Sequence, residues 1–415
     1  MERAIFKLKN IVLYLAAMIA IAQPLGAVSQ SQTGADWAQW WGPNRDGISA
    51  ESDWLAQWPT EGPTKCWEVS IGNGYSAVSV SDGRVYAMGT DGTNDGVFCF
   101  DAASGEPKWK VEYACGLYDV MHKGGPSSTP LIDGDWVYTL SKDGDLYCLN
   151  AKTGDEGWKR NLREDLKLEP PTFGYCTSPM IEGGRLIVDV GVVVALDKGN
   201  GQTIWKSEPY HPSYASPTAF THDGKRRLAV FNGNGLVVLD AETGGEIAQF
   251  EWYQDYRVNA GQPIIQGDRI FISTGYGKGC AMLKFDGEKL EPQWTNENMR
   301  NQFWSSVLWK GHIYGVDGDK LRCLDWETGE AKWTYEDYTK GSFMLADGKL
   351  IILSEVGEVV VGEPSPEGFR EISQAHPMSG VCWTMPVLSN GRIYCRNEEG
   401  RLICLDVSAK ANEEE

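Results

Sequence analysis

Short runs of alternating apolar and polar residues recur along the whole chain, most of them opened by a turn containing glycine. DGRVYAM at Asp82, GDWVYTL at Gly134, GDRIFIS at Gly267, GHIYGVD at Gly311, DGKLIIL at Asp347 and GRIYCRN at Gly391 share one form. A tight turn pair followed by period-two alternation reads as the second arm of a β-hairpin. Upstream of these lie SSTPLI, TSPMI, ASPTAF, GQPII, SSVLW and TMPVL, short apolar runs led by Ser or Pro. Downstream lie DGVFCFDAASGEPKW, GDLYCLNAKTGDEGW, VVVALDKGNGQTIW and KLRCLDWETGEAKW, which end at Trp109, Trp158, Trp205 and Trp333. GLVVLDAETGGEIAQF ends at Phe250 instead, and GRLICLDVSAK comes last.

The unit is therefore three strands joined by turns, followed by a fourth strand that ends in Trp. It recurs with a period of roughly 36–49 residues, and four-stranded units of that length are propeller blades. A helical solenoid would show a 3.6-residue period, which these runs lack. The expected fold is all-β, an eight-bladed propeller with blades beginning near residues 75, 127, 177, 215, 260, 304, 341 and 383. The last blade has only three strands. KCWEVSI (65–71) precedes the first blade and carries the Trp pattern at Trp67, so it is expected to supply the missing outer strand and close the ring.

Composition fits this reading. Glycine (48 residues) and aromatic residues (17 Trp, 17 Tyr, 12 Phe) suit a turn-rich β protein. The N-terminus departs from it. Arg3, Lys7 and Lys9 precede an apolar run over 11–22, and small residues follow at Gly26, Ala27 and Ser29. This is the layout of a secretory signal peptide, and the run is short for a membrane span. The expected organisation is a signal peptide over 1–29, a Trp-rich strap over 30–63, the propeller over 64–408 and an acidic tail over 409–415. The expected location is periplasmic or secreted, with no stable membrane insertion after cleavage. The net charge of −19 argues against nucleic acid as a partner. Five histidines without an H-E-x-x-H run, and no G-x-S-x-G, leave no signature of a zinc or serine hydrolase.

KDGDLYCLNAKTGDEGW (142–158) is rich in oxygen ligands but lacks the ligand order and flanking helices of a calcium loop. It is one copy of the repeat. Cys99, Cys148, Cys323 and Cys404 hold one equivalent position that other blades fill with Ala195 or Val238, so they read as small core residues. Cys115 and Cys176 precede neighbouring blades, which leaves a disulfide between them open.

The repeat L-x-x-L/C-D-A-x-T-G-x-x-x-W resembles the tryptophan-docking repeat of the pyrroloquinoline quinone (PQQ) propeller superfamily over residues 64–406. That superfamily includes eight-bladed quinoprotein alcohol dehydrogenases and the non-enzymatic propeller of the outer-membrane assembly machinery. DWAQWWGPNRDG, GNGYSAVSVSDGRVYAMG, FISTGYGKGCAMLK and GSFMLADGKLIILSEVGE are similar to exported bacterial PQQ-binding-like propellers, labelled polyvinyl-alcohol dehydrogenase-like or assembly-factor-like. The resemblance implies a ligand site where the loops leading into the innermost strands gather. This chain places Tyr75 and Ser76, His122 and Lys123, Tyr175, Tyr214, Arg257 and Asn259, Arg300, Asn301 and Phe303, Lys340, and Cys382 with Trp383 in those loops.

Basic residues that converge on a concave site hold carboxylates or phosphate, and Tyr and Trp stack on flat rings or sugars. The expected site is thus a basic, aromatic channel mouth, with Tyr75, Ser76, Lys123, Tyr175, Tyr214, Arg257, Asn259, Arg300, Asn301, Lys340 and Trp383 as binding residues and no metal ligands assigned. The expected activity is binding of an anionic or carbohydrate-like small ligand or an envelope protein by a monomer. The alternative is a PQQ-dependent alcohol dehydrogenase with calcium. The resemblance would then require Glu and Asn around the ion, an Asp base and commonly a disulfide of adjacent cysteines. Asn259 and Asn301 are amide candidates, Asp119 and Asp255 acidic ones, and adjacent cysteines are absent. An envelope assembly scaffold is the second alternative.

Overall fold

The computed structural model describes residues 36–409 apart from 337 and 339. The signal-peptide expectation, the start of the strap and the tail beyond 409 lie outside the described residues. Eight antiparallel sheets follow one another along the chain, and seven contain four strands. The first blade runs Ser79–Ser81, Arg84–Thr90, Asn94–Asp101 and Pro107–Ala114, and the later blades repeat this order, except that the eighth takes its fourth strand from ahead of the first blade. Among the described residues no helix is long and apolar enough to cross a membrane.

The inner hairpins form where the sequence offers two successive residues that accept positive φ. Asp82 and Gly83 (φ 50° and 68°) and Asn390 and Gly391 (54° and 70°) make such turns, whose twist matches that of the flanking strands. The second and third strands of each blade are almost wholly buried, whereas the fourth alternates, as Pro107–Ala114 does. The core therefore lies between neighbouring blades.

The closing tryptophans hold blade to blade. The indole N–H of Trp109 donates to Ala151 O and that of Trp158 to Lys198 O, both at 3.0 Å. Each ring lies on the T-G or N-G turn of the next blade. A Cβ on Gly154 or Gly201 would come within 2.9 or 2.7 Å of the indole, so only glycine allows the contact. Cys148 pairs across the strands with Tyr138 on one side and Trp158 on the other, and Cys99, Cys323 and Cys404 repeat this arrangement. All ten cysteines are free. The disulfide left open between Cys115 and Cys176 is therefore not formed.

Thr64–Ser70 pairs antiparallel with Arg401–Asp406 and completes the eighth blade, with Trp67 opposite Cys404. Trp67 then docks on the first blade, donating to Ala102 O at 3.0 Å. The strap before it enters the channel. Trp37 forms a two-way bridge with Val80 of the first blade, and Ala38 O accepts from Ile132 N of the second. Arg45 donates to Pro179 O of the third, and Ile48–Ser49 add a fifth, parallel strand to the inner edge of the seventh at Leu345 and Ala346. Trp37 and Trp41 are each 1% exposed.

Candidate functional site

The inner strands begin at one end of the channel, and the residues just before them surround a cavity of about 300 Å³. Its wall is a ring of hydroxyls. Ser178 Oγ accepts from Thr129 N, Ser216 Oγ from Ser178 N and Ser305 Oγ from Gln262 N, all at 2.9 Å. Each bond joins one blade to the next and fixes the hydroxyl oxygen, while the hydroxyl proton can still be donated. The floor is Trp40 of the strap, whose indole N–H donates to Gln262 Oε1 at 3.2 Å.

Aromatic rings form the rim in an almost continuous collar. Phe303 lies 4.1 Å from Trp304 and 5.0 Å from Trp383, centroid to centroid. Trp383 stacks on Tyr75 at 5.6 Å, and Tyr75 meets His122 edge-on at 5.0 Å. His122 meets Phe173 at 5.0 Å, and Phe173 meets Tyr214 at 5.7 Å. Tyr276 lines the cavity beside the fifth blade. These rings come from loops of seven blades. Burial lowers the basicity of His122 against the opposing pull of Glu398, which favours the neutral ring. Tyr75 Oη donates to Glu398 Oε2 at 2.9 Å and Trp383 Nε1 to Glu355 Oε1 at 2.7 Å. Burial and the Glu398 carboxylate hold the Tyr75 hydroxyl well above its ordinary range.

Of the residues expected to bind, Tyr75, Tyr214 and Trp383 line this cavity. The cationic ones do not. Lys123 stands over a shallow depression beside the rim, 2.5 Å from Glu399 and 3.4 Å from Glu398. Arg300 is clamped by Asp317 at 2.8 and 3.0 Å. Arg257 stacks over Tyr253 at 3.9 Å and donates to Asn234 Oδ1. Lys340 leads into the seventh blade, outside the lining, where its carbonyl accepts from Glu355 N.

The basic mouth is thus corrected. Each cation whose contacts are described here has local partners, and no Lys or Arg lines the cavity. Ser76 is buried behind Tyr75, and its carbonyl accepts from Arg396. Tyr175 is buried in the core between the second and third blades. The amide role is corrected too. Asn259 Nδ2 donates to Asn232 O and Trp252 O while its Oδ1 accepts from Thr274. Asn301 is equally occupied by Val316 O and Ser306.

Sequence reasoning missed Trp40, Phe173, Tyr276 and Gln302. Phe173 stands two residues before Tyr175 in the same loop, and Tyr276 lies in GYGKG, which reads as a turn. For Phe173 and Tyr276 the only signal was aromatic character in loops that differ from blade to blade.

A planar tricarboxylate with a calcium ion calls for cations along its edges and carboxylates around the metal. The lining carries neither, and the described residues contain no group of three or more His, Cys, Asp or Glu placed to hold a metal. The residues present do not fit PQQ with calcium in this cavity. Cys176 lines the wall, and burial pushes its thiol up to about 11, so it stays protonated at neutral pH.

Known proteins share this architecture. A quinohemoprotein alcohol dehydrogenase of Pseudomonas putida is 25% identical over 313 residues, covering 71% of this chain and 38% of the dehydrogenase. The chain thus spans well under half of that relative. The outer membrane protein assembly factor BamB of Salmonella typhimurium is 26% identical over 362 residues, covering 72% of this chain and 88% of that protein. Among solved structures, BamB from Moraxella catarrhalis superposes with a TM-score of 0.62 at 16% identity, over 83% of this chain and 99% of that one. A europium-containing methanol dehydrogenase superposes with a TM-score of 0.66 at 11% identity, over 88% and 89%. A family model described as outer membrane protein assembly factor BamB matches residues 93–335, more than half of the chain, and the chain belongs to that family of PQQ-like propellers.

Proposed function

We propose that this protein is a binding propeller of the cell envelope. Its aromatic cavity holds a ligand group, or a side chain offered by a partner protein, without covalent chemistry. The carrying observation is the lining, a collar of rings above a wall of serine hydroxyls, with no Lys, Arg, Asp or Glu among its residues. Of the ligand classes that the sequence suggests, such a lining disfavours an anion and favours a group without negative charge. Similarity to assembly factors along most of their length supports an envelope partner. Met121 (93% exposed) and Tyr256 (71%), in loops beside the cavity, give a partner apolar surface to cover.

The dehydrogenase reading rests on similarity to alcohol dehydrogenases and has no matching donor set in the cavity. The test is to mix the purified protein with PQQ and Ca²⁺, pass it through gel filtration and assay dye reduction with alcohols. The expected result is no retained quinone absorbance and no reduction. Stoichiometric quinone with turnover would replace binding by catalysis.

A further inference from the structure

The site proposed above favours a ligand group without negative charge, and the collar distinguishes a neutral group from a cationic one. Aromatic faces carry negative potential and attract cations that have shed their water. Here the rings are polarised further. Tyr75 and Trp383, stacked on each other, both donate their polar hydrogen to a carboxylate, Glu398 and Glu355 respectively. A hydrogen bond from the edge of a ring to an anion moves electron density back into the ring and makes its face more negative.

The nearby positive charges lie outside the lining. Lys123 is bound to Glu399 and Glu398 outside the cavity. Arg396 is 1% exposed and spends its guanidinium on the carbonyls of Ser76, Met88 and Gly72. His122 is kept toward its neutral form by burial. The same end of the molecule already uses this chemistry, with Arg257 over Tyr253 at 3.9 Å and Lys278 over Trp252 at 4.4 Å. The net charge of −19 draws cations towards the surface.

We infer that the collar of Tyr75, Trp383, Phe303, Phe173 and Tyr214 is a cation–π site for an organic ammonium group, of the quaternary or alkylated-amine class. This inference rests on the cavity being the binding site. A bulky, weakly hydrated ammonium suits it better than a metal ion, because the lining offers aromatic rings and hydroxyls and no carboxylates. A cavity of about 300 Å³ has room for a trimethylammonium head and a short chain reaching the serine hydroxyls. Those hydroxyls would donate to an oxygen on that chain.

The test compares choline with 3,3-dimethylbutan-1-ol, its uncharged isostere, by calorimetric titration of the full chain. Choline is expected to bind at least about tenfold more tightly than the isostere, the gap a desolvated cation–π contact supplies. Trp383→Leu is expected to lose about tenfold in choline affinity. Should that variant fail to fold, Glu398→Gln serves, and it should narrow the ratio of choline to isostere affinity about threefold. Equal affinity for the two compounds would overturn the ammonium inference and leave the cavity as an apolar site. Binding of a neutral oligosaccharide with none of choline would overturn it as well and again leave the cavity reading intact. Failure of every probe to bind would remove both.

Discussion

Asp189 ends the second strand of the third blade with its carboxylate buried, holding only the Gly191 N–H among the described hydrogen bonds. Burial pushes its pKa from 3.8 up to about 6. The folded protein then binds a proton that the unfolded chain has released, so this residue's contribution to stability falls as pH rises from about 4 to about 6. The expected loss at neutral pH is about 3 kcal/mol, at 1.36 kcal/mol per pKa unit. Asp189→Asn should raise the melting temperature at pH 7 and flatten this slope, read as the difference between variant and parent in urea melts from pH 4 to 7. A variant no more stable than the parent at pH 7 would refute the assignment. Lys142 and Asp95 form a different kind of buried pair, 2.5 Å apart and 1% and 0% exposed. Lys142→Ala should cost about 3–5 kcal/mol by stranding the carboxylate, and adding Asp95→Leu should recover much of it. Equal instability of single and double variants would show that packing dominates. Asp189, Asp95 and Lys142 were not singled out as buried charges in the sequence, although Lys142 opens the stretch 142–158. Each occurs once, with no repeat spacing to mark it, and burial is a property that only the assembled blades confer.

At the scale of the element, the sequence was most legible where it repeats. The S-G-x-x-x-W run at Trp109 and the T-G-x-x-x-W run at Trp158 mean the same thing, because the indole must find a glycine on the next blade each time. Gly154→Ala should destabilise by about 1–3 kcal/mol, since φ is 77° and the new methyl would strike the Trp109 ring. Trp158→Ala should cost about 2–4 kcal/mol, towards the lower end of core truncations because the indole is half-buried. Chemical denaturation checks both, and a neutral Gly154→Ala would mean that the blades can slide apart without cost. The hairpin turns and the cysteine positions were legible for the same reason. The strap was legible as an addition to the ring but its path was not. Trp40 meets Gln262 across 222 positions of sequence, and no periodicity reports a contact of that kind.

The ring as a whole was readable from its count of strands, because seven complete units and one incomplete unit need one more strand and KCWEVSI has the right form. The candidate site was readable in location but only partly in character. Which loops lead into the blades follows from the repeat, and Tyr75, Tyr214 and Trp383 emerge from it. Whether a lysine or arginine in such a loop faces the channel or a neighbouring carboxylate depends on residues such as Asp317 and Glu399, 17 and 276 positions from their partners and unmarked by any motif. Trp67 is the hinge of the whole assembly, bonded to the last blade and docked on the first. Trp67→Ala should therefore lower stability more than Trp158→Ala, by roughly 3–5 kcal/mol in total, and equal losses in parallel melts would show that closure adds nothing. The path of the strap has a consequence for the order of events. The cavity takes its floor from Trp40, near the first of the described residues, and part of its rim from Trp383, in the final blade. A chain interrupted anywhere between the two holds no vessel for a ligand. The vessel is thus complete only once the ring has been made to its last blade and shut.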